Sequence, residues 1–259
     1  MTPEIEASAR AAASELNLTI MPRNKRPFDE IYEQYNVNRV LVAYESGWQI
    51  RQKSPSINYS YHPNMAMVRL HNIAGGQRDL FAEATGLREG DQHLDCTAGF
   101  AAEATLAAHL VGSTGHVTAL ESDRVLAFVT REGLKTFQTN NKLLKKNLLE
   151  IQLLHADYST FLNQCATNSF DVVYFDPFFD ERLWGSQHSL DPLRAFGELA
   201  PLDAQAVVRA IGVARRRVVV KHPWKEPLPE SLRSLSPARI ETRKGRLVYS
   251  VFESADGAA

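Results

Sequence analysis

From residue 93 onward, short apolar runs alternate with segments of helical periodicity, and this alternation limits the fold more than any other feature of the chain. The strand-like runs are 93–96, 117–120, 151–155, 172–175, 218–221 and 248–252. Helical segments at 101–111, 124–137, 159–164 and 203–214 lie between them. Strand and helix in turn make βαβ units, so residues 91–254 are expected to form an α/β, doubly wound, mainly parallel sheet. Ligands of such sheets sit beyond the carboxyl ends of the strands. The residues that do chemistry should therefore follow the strands directly.

Residues 1–90 do not share the pattern. A helix is expected at 5–18, a basic connector at 23–26 and a short helix at 28–35. Short strands follow at 40–43, 48–52 and 57–61. Tyr61-His62-Pro63-Asn64-Met65 then leads into a helical stretch, and another spans 77–85, closed by Gly86. This part reads as a small α+β cap concerned with substrate recognition.

The chain has 259 residues, 44% of them hydrophobic, and a net charge of -1. No apolar run approaches the roughly 20 residues of a membrane span. Glu4, Glu6 and Glu15 occupy the N-terminus, where a signal peptide would need a cationic start and an apolar stretch. Cys96 and Cys165 make neither a disulfide framework nor a metal-ligand spacing. A cytoplasmic protein without membrane or metal partner is expected, with its oligomeric state open. The basic residues are bunched: Arg23, Lys25 and Arg26; Lys142, Lys145 and Lys146; Arg215 to Arg217 before Lys221 and Lys225; and Arg239, Arg243, Lys244 and Arg246. Any one cluster is more readily a solvated face or helix end, but several around one site can hold phosphates.

The first strand runs into a tight turn and a helix start, His93-Leu-Asp-Cys-Thr-Ala-Gly-Phe-Ala-Ala-Glu-Ala104. Asp95 ends the strand with a carboxylate facing the crevice. Gly99 permits the sharp turn, and the helix start offers free N–H groups from the Thr97-Ala98-Gly99 side. Glu121 ends the second strand 22 residues after Gly99, the separation at which a βαβ unit presents an acid to ribose hydroxyls. A dinucleotide would need glycines where Ala101 and Ala104 stand. A phosphate-free zwitterionic nucleoside demands less. Its amino group suits Asp95, its ribose Glu121 and its carboxylate the N–H groups of the turn. Asp157 after the third strand suits an adenine amine, with Tyr158 over the ring. These demands are those of S-adenosylmethionine.

The fourth strand delivers Val172-Val-Tyr-Phe-Asp176-Pro177-Phe178-Phe179. A base amine is a poor nucleophile because its lone pair is delocalised into the ring. Asp176 and the Pro177 carbonyl can accept its two hydrogens, and Phe178 or Phe179 can stack the base, worth roughly 1–3 kcal/mol. Pro177 fixes its own φ and keeps Asp176 extended. A base must leave its stack to reach such a pocket. Lys221 and His222 end the fifth strand near the expected pocket mouth, where Lys221 could take an RNA phosphate. His62 is a further polar candidate for substrate in the cap.

With these motifs in place, the chain resembles the bacterial ribosomal small-subunit methyltransferase J family over about residues 60–252. The likeness is carried by Asp95-x-Thr97-Ala98-Gly99 with Glu103-Ala104, Leu120-Glu121, His155-Ala156, Tyr174-x-Asp176-Pro177-x-Phe179 and Val218-Val-Val-Lys221-x-Pro223. It implies a Rossmann-like, seven-stranded class I methyltransferase fold acting on guanine N2 of 16S ribosomal RNA. It also implies S-adenosylmethionine contacts from Ala102 and Glu103, Glu121 and Ser122, Asp157 and Tyr158, and Asp176. The family usually has glycine at the place of Ala101, aspartate at Glu103, and Asp-Pro-Met-Phe-Pro where this chain has Asp176-Pro-Phe-Phe-Asp180. Asp176-Pro serves other base amines equally, so tRNA guanine N2 and adenine N6 remain open. So does a non-catalytic RNA-binding or ribosome-assembly protein on the same core.

Overall fold

In the cap, α1 (Pro3–Glu15) and α2 (Phe28–Gln34) precede a three-stranded antiparallel meander of β1 (Arg39–Tyr44), β2 (Gly47–Gln52) and β3 (Ile57–Ser60). The computed structural model describes residues 2–63, 65–177, 202–241 and 247–254. Two further helices follow, α3 (Met65–Ala74) and α4 (Leu80–Thr85). Asp79 caps α4 by accepting from the backbone N–H of Phe81 and Ala82, so this helix begins at 80 rather than 77.

The larger sheet takes β4 (Gln92–Asp95), α5 (Ala102–Val111), β5 (His116–Glu121), α6 (Arg124–Thr136), α7 (Lys142–Leu149), β6 (Ile151–His155), α8 (Tyr158–Gln164) and β7 (Phe170–Phe175). Beyond these come α9 (Ala204–Val213), β8 (Ala214–Pro223), α10 (Glu230–Arg233), β9 (Ala238–Glu241) and β10 (Leu247–Glu253). Its seven strands lie in the order β6-β5-β4-β7-β8-β10-β9. The five from β4 to β8 are mutually parallel, and β10 inserts antiparallel between β8 and β9. This is the expected α/β doubly wound sheet, with β9 supplying the seventh strand. The chain order reverses between β4 and β7, which makes that seam the switch point where ligands bind.

Strand alternation sorts side chains onto two faces. Val117, Ala119, Val172, Tyr174 and Val219 join the core under α3, α4, α5 and α7. Leu94, Leu120, Val173, Phe175, Val218 and Val220 face α8, α9 and α10. The same phase carries Asp95, Glu121, Asp176 and Lys221 to the α5 side. The cap docks through Tyr59, stacked on Phe100 at 4.3 Å, and Trp48, edge-on to Phe128 at 4.9 Å. Tyr61 crosses α6 at Gly133, where an added Cβ would stand 2.2 Å from the tyrosine. That contact accounts for a glycine inside a helix, where it otherwise costs about 1 kcal/mol.

Candidate functional site

At the carboxyl edge of the switch point, four carboxylates converge. Asp95 ends β4 and is 1% exposed. Its Oδ1 accepts from the N–H of Thr97 at 3.0 Å, and no cation touches it among the described residues. Burial, reinforced by Glu103, Asp176 and Glu121, pushes its carboxyl up to about 8. Glu121, ending β5, accepts from the N–H of Gly99 at 3.1 Å and of Asp123 at 2.8 Å. Burial raises it to about 7. The turn between β4 and α5 is thereby tied to β5, and the N–H of Ala98 also donates to the Leu120 carbonyl at 2.8 Å.

Gly99 has φ 51° and Ala101 has φ 56°. The chain thus keeps a left-handed conformation at Ala101 without the glycine that favours it, at a cost of about 1 kcal/mol. Ala101 caps α5 without a side-chain hydrogen bond, leaving the first N–H groups of the helix, from Ala102 and Glu103, to other acceptors.

Asp176 follows β7, and its N–H donates to Thr97 Oγ1 at 2.6 Å. Thr97 therefore locks the reaction strand to the cofactor turn. Lys221 Nζ lies 2.5 Å from Asp176 Oδ2 and 3.6 Å from Glu103 Oε1. Arg69, on α3, donates to the same Glu103 oxygen at 2.7 Å and forks onto Asp79 at 2.9 and 3.0 Å. Burial alone would push Glu103 up, but Lys221 and Arg69 outweigh it and bring it down to about 2. Burial raises Asp176, opposed by Lys221. Burial works against the Lys221 charge, but Asp176 and Glu103 hold it protonated.

Sequence order thus brings together Asp95, Thr97, Gly99, Glu103, Glu121, Asp176 and Lys221. At the end of β6, Asp157 Oδ1 caps α8 through the N–H of Thr160 at 2.8 Å, and His155 Nε2 lies 3.1 Å from the Ser122 carbonyl. The Tyr158 ring meets Phe175 edge-on at 5.5 Å, and its hydroxyl accepts from the N–H of Asp203. Asp157 and Tyr158 therefore stand beside the crevice, one exposed and one half-buried. Pro177 is buried; Phe178 and Phe179 lie outside the described residues.

Three expectations need correcting in position. Lys221 is turned into the site, because two carboxylates there outbid a phosphate outside. His222 is one residue further along β8 and so faces the opposite side of the sheet. It is 3% exposed, with Nε2 2.9 Å from Ser250 Oγ and Nδ1 3.0 Å from the carbonyls of Pro223 and Glu226. It does not stand at the pocket mouth. His62 packs edge-on to Phe137, past the far end of α6. That helix, 13 residues and about 20 Å long, begins at the crevice beside Asp123. Arg69 also belongs to the site, although a lone arginine in a cap helix carries no local signal of this role.

Lys221 and Arg69 neutralise Asp176 and Glu103, which leaves Asp95 and Glu121 as buried carboxylates awaiting a cation and hydrogen-bond donors. This residual demand fits S-adenosylmethionine, whose ammonium Asp95 would hold and whose ribose diol Glu121 would accept. A family model described as "Putative SAM-dependent methyltransferase" matches residues 33–251, and the chain belongs to that family. S-adenosylmethionine is accordingly its cofactor. Among relatives, YpiP of Bacillus subtilis is 33% identical over 220 residues, 85% of this chain and 84% of that one. Ribosomal RNA small subunit methyltransferase J of Marinobacter nauticus is 29% identical over 186 residues, 69% of this chain and 63% of that one. The enzyme of that name from Thioalkalivibrio sulfidiphilus is 26% identical over 235 residues, 87% and 86% of the two. A solved SAM-dependent methyltransferase from Aquifex aeolicus aligns with 74% of this chain and all of that one, at 15% identity and a TM-score of 0.42.

Proposed function

We propose that this methyltransferase acts on an exocyclic amine of an RNA base, guanine N2 of 16S ribosomal RNA, with residues 1–90 choosing the substrate. The observation that carries the reading is Asp176-Pro177 at the switch point, its backbone fixed by Thr97 directly beside the Asp95 turn. The methyltransferase J relatives are named for the ribosomal RNA of the small subunit, which supports RNA as the substrate. Bound S-adenosylmethionine supplies an activated methyl group. The protein's own part is to orient the target nitrogen, to accept hydrogen bonds from its two N–H groups and to take up, at Asp176, the one proton lost on methylation. Asp176 Oδ2 is taken by Lys221, so Oδ1 accepts one amine hydrogen, and the Pro177 carbonyl accepts the other. The nitrogen lone pair then localises toward the methyl group. Alignment of this kind supplies up to roughly 7–11 kcal/mol in favourable cases.

The cap surface supports an RNA partner. The guanidinium groups of Arg23 and Arg51 lie 4.4 and 4.0 Å from the centre of the Phe28 ring, beside a cavity of about 270 Å³ that Lys53 and Asn58 also line. Basic and aromatic groups interleaved in this way suit unstacked nucleotides. As a test, labelled methyl transfer would be measured to naked 16S RNA, small subunits and bulk tRNA, followed by nucleoside analysis. N2-methylguanosine from 16S RNA or subunits is expected. Label confined to tRNA or to N6-methyladenosine would discard the substrate while keeping the chemistry. Cofactor binding with no label in any RNA would favour a binding-only role.

A further inference from the structure

Asp176 is the carboxylate on which the proposed reaction turns, and the structure surrounds it with a continuous chain of charge. Asp79, at the start of α4, holds Arg69 on α3; Arg69 holds Glu103 on α5; Glu103 stands by Lys221 on β8; and Lys221 closes on Asp176. Neighbouring strands make the last contact inevitable. Phe175 pairs with Val220 in the parallel β7–β8 ladder, so Asp176 and Lys221 are the next rung and share a face. The only direct cation on Asp176 among the described residues is Lys221. The other charged or titratable groups facing it are Glu103 and Arg69, with Asp95 on β4, Tyr174 on β7 and Tyr249 on β10 close enough to act through space.

We infer that Lys221 is a positioning residue for methyl transfer, holding Asp176 charged and pinning Oδ2 so that Oδ1 faces the target amine, while Glu103 on α5, itself held by Arg69 on α3, fixes Lys221 in place. This rests on the amine-accepting role of Asp176 given above. A buried carboxylate without a partner shifts toward its neutral form. A protonated Asp176 could not accept the amine hydrogen at that oxygen, and a rotated one would present the wrong lone pair. The chain from Asp79 also makes α3, a helix of the cap, part of what orients the reacting carboxylate. Lys221 therefore belongs to the reaction rather than to phosphate binding.

The test compares wild type with Lys221→Met, Lys221→Arg and Glu103→Gln. Circular dichroism checks the fold, and calorimetry checks S-adenosylmethionine binding. Lys221→Met is expected to bind cofactor within about threefold of wild type and to lose about 100-fold in kcat with little change in KM for RNA. The acid limb of its pH–rate profile should move upward by at least one pH unit, with Lys221→Arg restoring most of both. Glu103→Gln removes a carboxylate that raises Asp176, so it should move the limb the opposite way and by less, and Lys221→Gln stands in if Lys221→Met does not fold. Titration of the Asp176 carboxyl by carbon-13 NMR, assigned through Asp176→Asn, needs no RNA. A Lys221→Met protein whose Asp176 titrates as in wild type, or whose pH profile and kcat are unchanged, overturns the inference. If no RNA is methylated by wild type, the substrate reading fails, while the carboxyl titration still decides the role of Lys221. A loss confined to KM for RNA would return Lys221 to phosphate binding and also overturn it.

Discussion

The two halves of the crevice hold the same kind of group in opposite states. On the β7–β8 side, Asp176 and Glu103 each have a cation within ion-pairing distance. On the β4–β5 side, Asp95 and Glu121 are more deeply buried yet accept only backbone N–H donors among the described residues. Their carboxyls are pushed up to about 8 and about 7, whereas Glu103 is brought down to about 2. An uncompensated buried carboxylate is costly and persists where a ligand completes it. The difference separates a half built to receive a cationic cofactor from a half already charged for chemistry.

The largest expected effect tests that separation from the chemical side. Asp176→Asn keeps the shape and the Thr97 tie through its backbone N–H but loses the charge. Turnover should fall by roughly 10²–10⁴-fold, the range for a positioned proton acceptor, with calorimetric affinity for S-adenosylmethionine within a few-fold of wild type. A variant that loses both together would show that the two halves act as one.

The reciprocal change is Asp95→Asn. Removing one partner of a buried ligand charge pair costs about 2–4 kcal/mol, or about 30- to 1,000-fold in affinity. Calorimetry should show that loss, while RNA binding followed by filter retention should stay unchanged. Weak RNA binding by this variant would mean that the cofactor half also builds the RNA surface.

Most of this comparison was legible in the chain, and the part that was not has a physical reason. Acids at the ends of β4, β5 and β7 announce themselves because a strand's carboxyl end fixes where the next side chain can go. The seventh strand carries no such sign. Ala238–Glu241 is a polar edge strand with little apolar periodicity, stabilised by pairing with β10 rather than by its own sequence. The α7 helix hid inside a run of lysines, because Leu144 and Leu148 carry its buried face in only eight residues. His222 follows Lys221 directly, and strand alternation puts it on the opposite face of the sheet, against Ser250. Arg69 was invisible because its partners, Asp79 and Glu103, are 10 and 34 residues away and meet only once α3 packs on α5.

A pH series sharpens the comparison next. Binding a cationic ligand requires Asp95 ionised, whereas its carboxyl in the free protein titrates at about 8. Affinity for S-adenosylmethionine should rise as pH increases from 6 to 8, by up to about tenfold per unit. Calorimetry at pH 7 in buffers of different ionisation enthalpy should show protons released on binding. Asp95→Asn should abolish that release, whereas Asp176→Asn should leave it. Equal proton release in both variants would assign it to Glu121 or to the ligand.

The smallest effect concerns stability without ligand. Asp95 ionises near 3.8 in the unfolded chain and near 8 in the folded one. Between those values the folded state holds the extra proton, so this group makes stability fall as pH rises through the window, and the loss is complete above about 8. Asparagine keeps the Thr97 hydrogen bond and removes the buried charge. Denaturant unfolding at pH 8.5 should therefore find Asp95→Asn more stable than wild type by about 1–2 kcal/mol, a gain of the kind that follows relief of a functional strain. The advantage should shrink toward zero below about pH 3, where both folded and unfolded chains carry a largely neutral side chain. Asp176→Asn should give no such gain, since removing its charge strands Lys221 without its nearest partner. A stability gain at Asp176 as large as at Asp95 would erase the distinction between the two halves.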